Sequence, residues 1–365
     1  MYGDDRLHIT LLGSPAEIGG ANTEAWHWLK MMRRSGAQIT VVHTWGEPPL
    51  PWRRQCEAIG CRVDVFESPS DIRLRVGVDC CVAFCNERIF PVFDQIAVDC
   101  PIIWVNCMTW LLREELQQYR MRRRFFDAYI FQSEYQQAVL MTMLQREGLP
   151  DGTPYAVING ALDVNDFPYT PRLLGGEPLT VGRISRAAPD KFHPDHWRTL
   201  QTAYDMLYAE RPAALKARVL GFSKDIERRL SDPTPHFAEC IAECCEDVNE
   251  FYRSLHVMSH FTGGSRENWP RVGLEAMAAG VAVIAEDDFG WPEMIERDVS
   301  GVLLHRTSRS TLAWHLREFA RDDMKRLAMC DAARLRVCEL CEPSAMFEKW
   351  STVIKQIAGA RLCRS

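Results

Sequence analysis

Two carboxylates stand seven residues apart in the segment Gly263-Gly264-Ser265-Arg266-Glu267-Asn268-Trp269-Pro270-Arg271-Val272-Gly273-Leu274-Glu275-Ala276-Met277-Ala278-Ala279-Gly280. The segment follows an apolar run, 255–261. Pro270 suits the first turn of a helix, where its missing N–H is no loss. Gly280 suits a helix stop. A helix beginning near 270, just after a glycine-bearing loop, offers unbonded N–H groups to an anion such as phosphate. A carboxylate accepts hydrogen bonds in pairs, so Glu267 before the helix and Glu275 inside it could each hold vicinal hydroxyls. An anion site between two hydroxyl-holding carboxylates describes a sugar nucleotide: ribose, diphosphate, hexose. The bland alternative is that Glu267 complements the helix dipole and Glu275 is a solvated helix position. On spacing alone the bland reading is the stronger, because helix charges are usually solvated.

The surrounding chain predicts the elements that would position this segment. Short apolar runs at 7–12, 39–43, 63–66, 80–84 and 102–105 read as strands, the last two as buried parallel ones. Residues 23–34 read as a helix, with Ala25, Trp28, Leu29 and Met32 at i, i+3, i+4, i+7. Helices are also predicted over 110–124 and 133–147, the second burying Tyr135, Ala138, Val139, Thr142 and Met143. Pro168, Pro171, Gly175, Gly176 and Pro178 crowd 165–178, which reads as a linker. The alternation restarts with strands at 179–182, 217–221, 255–259, 281–285 and 301–304 and a helix near 196–210. A last helix, 343–358, carries Met346, Trp350, Val353, Ile354 and Ile357 on one face. Strand–helix alternation implies parallel sheets. The expected fold class is therefore α/β, with two doubly wound Rossmann-like domains facing a cleft. The N-terminal, acceptor-side domain would span 1–168 and the nucleotide-sugar domain 177–342. The helix within 343–365 would pack back toward the first. Ligands in such sheets lie beyond the C-terminal ends of the strands.

The segment resembles the Glu-x7-Glu motif of the retaining glycosyltransferases of the GT-B fold, family four (the glycogen-synthase-like group). The wording Glu-x-Trp-Pro-Arg-Val-x-x-Glu-Ala-Met-Ala-x-Gly is similar to that family's donor-binding helix. Three other places agree: Ile158-Asn159-Gly160 with Asp163 and Phe167, Val181-Gly182-Arg183-Ile184-Ser185 followed by Lys191, and Gly19-Gly20 opening a helix after the first strand. The resemblance implies a metal-independent transferase that moves a hexose from a nucleoside-diphosphate sugar to an acceptor hydroxyl. A UDP-sugar is the favoured donor, with GDP- and ADP-sugars open, and no further cofactor is implied. Arg183 and Lys191 would hold the diphosphate, Glu275 the ribose and Glu267 the hexose. Asn268, Trp269, Pro270, Arg271 and Val272 would line the donor site, and Gly19 and Gly20 would let backbone approach the diphosphate. In the family's usual scheme the departing phosphate helps take the acceptor's proton, so no dedicated base is named. One departure is the interval of eight from Arg183 to Lys191, where the family often has five. Arg183 is expected to line an open cleft.

The remaining sequence narrows the alternatives. The 365 residues exceed one ordinary core, and 47% hydrophobic with 25% charged residues is globular composition. A net charge of −6 is not that of a dedicated nucleic-acid binder, so a DNA or membrane acceptor is not favoured. No Asp-x-Asp triplet, Walker motif or Gly-x-Gly-x-x-Gly occurs. His256 and His260 fall on a strand and read as core or rim histidines, and no metal site is expected. The 14 cysteines show no paired zinc-ribbon spacing and read as free thiols. No membrane span or signal peptide is recognised, which predicts a cytoplasmic protein. On the acceptor side, Trp45, Asn106 and Trp110 lie in loops after N-domain strands and are candidates, with packing roles equally open for the tryptophans. Arg120, Arg122, Arg123 and Arg124 read as a cationic helix end, with contact to a phosphate-bearing acceptor as the sharper alternative. Two rival functions remain: a sugar-nucleotide epimerase of the same fold, and a non-catalytic ligand-binding homologue.

Overall fold

The computed structural model describes residues 6–13, 20–43, 48–68, 71–73, 77–93, 101–122, 125–210, 214–305 and 308–362. Its contacts divide the chain into two units. Unit 1 comprises Met1–Asp163 with Cys341–Ser365, and unit 2 is Val164–Leu340.

Unit 1 is built on seven parallel strands: β1 (His8–Leu12), β2 (Gln38–His43), β3 (Arg62–Val65), β4 (Cys80–Phe84), β5 (Ile102–Val105), β6 (Ala128–Phe131) and β7 (Tyr155–Val157). Their order in the sheet is β3-β2-β1-β4-β5-β6-β7. The order reverses between β1 and β4, whose register pairs Leu11 with Val82. The central strands β4, β5 and β6 are buried along their whole length, as expected of strands covered on both faces. The terminal helix Pro343–Leu362 belongs to this unit. It lays Trp350 against Trp28 and Phe84, with ring centroids 5.3 and 6.2 Å apart.

Unit 2 repeats the scheme with β8 (Leu179–Ile184), β9 (Leu215–Leu220), β10 (Ala238–Ile241), β11 (Val257–His260), β12 (Ala282–Glu286) and β13 (Val302–Leu304). The order is β10-β9-β8-β11-β12-β13, again all parallel. Here the reversal falls between β8 and β11, where Gly182 pairs with Met258. In sheets of this kind ligands bind at the switch point, beyond the C-terminal ends of the strands, here β8 and β11.

Several local expectations are corrected. The 110–124 stretch forms only a short α-helix, Arg113–Gln117, followed by a π-helical turn, Gln118–Arg122. The helix Glu134–Arg146 buries Gln136, Leu140 and Leu144, whereas Ala138 and Thr142 are exposed. Buried Gln136 misled the reading, because it is a polar residue on the inner face. Its amide donates to the carbonyls of Asn106 (2.5 Å) and Met108 (2.7 Å). Residues 165–178 are packed on unit 2 instead of forming a free tether. Arg334 donates to the carbonyls of Val164, Phe167 and Ala278.

Candidate active site

Charged side chains gather at the switch point of unit 2. Arg183 is the penultimate residue of β8, and its side chain is buried, at 1% exposure. Its Nη2 donates to the carbonyl of Lys191. Its guanidinium lies 4.6 Å from the ring centre of Phe192, a favourable cation–π geometry. Nε and Nη1 have no hydrogen-bond partner. The eight-residue interval is taken up by a 3-10 turn, Pro189–Lys191, with proline in its first position. That turn brings Lys191 Nζ within 2.6 Å of Glu267 Oε1. The amides of Gly263 and Ser265 donate to the Asp190 carbonyl at 3.0 and 3.2 Å and lock the two loops together. A Cβ on Gly263 would sit 2.1 Å from the Phe192 carbonyl oxygen, so only glycine permits this approach.

Burial pushes the Arg183 guanidinium down to about 10, opposed by the charges of Glu286 and Glu267. Glu286 ends β12 inside the same region and is fully buried. Its Oε1 accepts from Thr262 Oγ1 at 2.9 Å, while Oε2 has no partner. Burial lifts its carboxyl to about 7, against the opposing pull of Thr262 and Arg183. His260 and His196 are buried as well, and burial beside Arg183 holds both imidazoles well below their ordinary range. They are neutral walls. Among the described residues, no three metal-ligating side chains gather.

The helix Arg271–Ala279 runs from Pro270, which is its N-cap and not its first helical residue. Pro270 offers no side-chain cap, and the Gly273 amide donates to its carbonyl at 2.9 Å. Gly280 closes the helix in the left-handed region (φ 88°), a conformation glycine adopts without strain. Glu275 is not a solvated helix residue. At 9% exposure it accepts from Tyr252 OH at 2.9 Å and lies 4.0 Å from Arg271 Nε. Burial raises its carboxyl, with Arg271 and then Tyr252 opposing. Asn268 and Trp269 are buried, and the Trp269 indole N–H has no hydrogen-bond partner.

Arg183, Lys191 and Glu267 are thus brought together, and Glu275 and Arg271 form a second cluster on the helix that follows. Sequence reasoning missed Tyr252, Thr262, Phe192 and Glu286. Only Glu286 had a readable signal, a charge closing an otherwise apolar buried strand. In unit 1, Gly20 opens the helix Gly20–Arg34. Among the described residues, a Cβ there would meet nothing within 4 Å. Gly19 and Trp45 lie outside the described residues. Asn106 is not a free acceptor ligand. Buried at 2% exposure, it donates to the Trp110 carbonyl (3.1 Å) and Glu115 (3.2 Å) and accepts from Met108 N (2.7 Å). It shapes the loop that holds Trp110 half exposed. Arg120 is paired with Glu147 at 2.7 Å. Arg123 and Arg124 lie outside the described residues, as does the side chain of Arg122.

Two doubly wound parallel sheets of seven and six strands are the architecture of the GT-B fold. Residues 243–336, which include Glu267, Glu275 and Glu286, match the family "Glycosyl transferases group 1". No curated protein sequence matches the chain significantly. Among solved structures, HepE of Anabaena in complex with UDP and glucose is similar over 96% of this chain and 100% of its own, at 17% identity and a TM-score of 0.68. Sucrose-phosphate synthase of Thermosynechococcus elongatus is similar over 97% and 100%, at 15% identity and a TM-score of 0.68. The pneumococcal O-GlcNAc transferase GtfA, in complex with UDP and GlcNAc, is similar over 97% and 99%, at 11% identity and a TM-score of 0.63. Among the described residues, no helix is long and apolar enough to cross a membrane.

Proposed function

We propose that the chain transfers a hexose from a UDP-sugar to an acceptor hydroxyl, with retention at the anomeric carbon and with protein cations in place of a metal. The observation that carries this reading is the buried Arg183, with two unbonded guanidinium nitrogens, at the switch point where Lys191 and Glu267 also meet. A diphosphate leaving group gains negative charge as the glycosidic bond breaks. A preorganised guanidinium stabilises that charge without reorganising, as does the uncapped start of a helix. Glu275, supported by Tyr252, accepts from ribose hydroxyls. Glu267, oriented by Lys191, accepts from the hexose. UDP complexes of HepE and GtfA support the choice of base.

The test is incubation with UDP-glucose, UDP-GlcNAc, and GDP- and ADP-sugars, with and without EDTA, against pools of sugar and glycan acceptors. Mass spectrometry would detect the product and NMR its anomeric configuration. Acceptor-dependent UDP release with a retained anomer supports the proposal. Conversion of the donor without an acceptor would identify an epimerase instead. Loss of turnover in EDTA, restored by Mg²⁺ or Mn²⁺, would overturn the metal-independent part.

A further inference from the structure

Glu286 has no role in the scheme so far. It is a fully buried carboxyl at the C-terminal end of β12, in the same charged pocket as Arg183. Thr262 Oγ1 occupies Oε1, which leaves Oε2 as the open protonation site. The facing groups can be named. Arg183 comes from β8 and Glu267 from the loop before the helix Arg271–Ala279. Lys191, His260 and His196 surround Arg183. Lys191 is already neutralised by Glu267 at 2.6 Å, and both histidines are neutral. Glu286, ahead of Glu267, is therefore the acidic group whose charge bears most on Arg183 when no anion is present. A diphosphate at Arg183 would bring a second negative charge to the same buried cation, and two anions around one buried cation cannot both stay ionised cheaply.

We infer that Glu286 is a positioning residue that gives up its charge when the donor binds: its Oε2 takes one proton from the solvent as the nucleoside diphosphate docks at Arg183. In the empty site the carboxylate's charge offsets that of the guanidinium at longer range, and its neutral form lets the diphosphate take over as the counter-ion. This rests on the reading that Arg183 faces the donor diphosphate. The sign follows from linkage. Nucleotide binding favours the protonated carboxyl, so affinity is fully developed below pH 7 and falls as pH rises above it. The histidines stay neutral in that range, and above pH 7 the terminal phosphate of UDP, with an ionisation near ~6, is already charged.

UDP itself is the probe, with the full-length chain. Isothermal titration at pH 8.0 in two buffers of different ionisation enthalpy should report uptake of about 0.5–1 proton per UDP bound. The Kd for UDP should rise about three- to tenfold per pH unit between 7.5 and 8.5. Glu286→Gln, which mimics the neutral carboxyl, should bind UDP without proton uptake and with a flat profile, and more tightly than wild type at pH 8.5. Wild-type binding with no proton uptake overturns the inference whether or not the variant folds, and so does a variant that keeps the wild-type slope. If UDP fails to bind at any pH, the donor-site reading falls first and this inference with it.

Discussion

Arg183→Ala separates a catalytic cation from a structural strut, and the expected numbers come from its surroundings. The substitution removes one charge-assisted hydrogen bond, to the Lys191 carbonyl, for a loss of about 1.5–3 kcal/mol. It also removes the cation–π contact with Phe192 at 4.6 Å, about 1–2 kcal/mol when desolvated. Against these stands the penalty of keeping a charge buried. Depression of the guanidinium to about 10 corresponds to ~3 kcal/mol disfavouring the charged form. The folded pKa lies below the unfolded one, so this penalty is present throughout the range below pH 10. The terms nearly cancel, and the variant should stay within about 2 kcal/mol of wild-type stability. The protein keeps its fold because the lost contacts and the relieved desolvation are of similar size, not because Arg183 lines an open cleft. Function should not be spared: kcat should fall on the order of 10²–10³-fold. UDP affinity should fall by roughly tenfold or more. Arg183→Lys should recover part of this, since a lysine lacks the planar fork. Urea unfolding, UDP titration and steady-state kinetics decide the matter. A loss of more than about 4 kcal/mol in stability with UDP binding unchanged would make Arg183 a strut and refute the assignment.

Other variants test the division of labour. Glu275→Ala should weaken UDP by about 1–3 kcal/mol in calorimetry, and Tyr252→Phe, which removes only the supporting hydroxyl, by about 1 kcal/mol. Glu267→Ala should leave the UDP Kd within about threefold and abolish the preference for UDP-sugar over UDP, a change of roughly 1–3 kcal/mol; equal weakening of UDP by both carboxylate variants would contradict the assignment. In unit 1, burial lifts Glu115 to about 7, opposed by Tyr119 and Leu112. Its folded value lies above the unfolded one, so the native state binds more protons between about pH 4.3 and 7, and stability falls as pH rises through that window. Glu115→Gln should remove its share, on the order of 3 kcal/mol between pH 5 and 8 in urea unfolding; an unchanged pH slope would refute this.

The legible parts of the sequence were those where burial and backbone geometry act alone. Strands β4 and β5 are fully buried, so their apolar runs marked their ends to the residue. Pro270 and Gly280 bracketed the helix between them because each is fixed by backbone geometry. Edge strand β10 was illegible: its ends are half buried and its middle, Glu239 and Cys240, is exposed. The last helices of unit 2, Arg309–Arg321 and Asp323–Leu340, were also missed. The second buries Arg326 alongside Met329 and Ala333, which breaks the apolar stripe. The same cause hid part of the site. Tyr252, Thr262 and Glu286 matter through partners 23 to 24 residues away, at Glu275 and Glu286, and no local pattern announces such pairs. Asn106 shows the opposite limit. A polar residue after a strand suggests a ligand contact, yet its hydrogen bonds run to its own loop and Glu115.

Lys191 poses the sharpest remaining question, because its position allows two roles with different arithmetic. Resemblance assigns it to the diphosphate. The structure commits its Nζ to Glu267 at 2.6 Å, with both side chains mostly buried, at 16% and 15% exposure. A pair this protected is screened less than a surface one, and breaking it leaves Glu267 without its partner. If Lys191 acts through Glu267, then Lys191→Ala, Glu267→Ala and the double variant should lose similar amounts of kcat/KM, because the second substitution has nothing further to remove. The coupling free energy would then be about 1–3 kcal/mol. If Lys191 instead meets the diphosphate directly, the losses should add to within ~0.5 kcal/mol, and only Lys191→Ala should weaken UDP itself. The ion pair predicts coupling: the 3-10 turn at Pro189–Lys191 lengthens the connection from Arg183 and delivers the ammonium to a carboxylate. Additive losses in the double-mutant cycle would return Lys191 to the diphosphate.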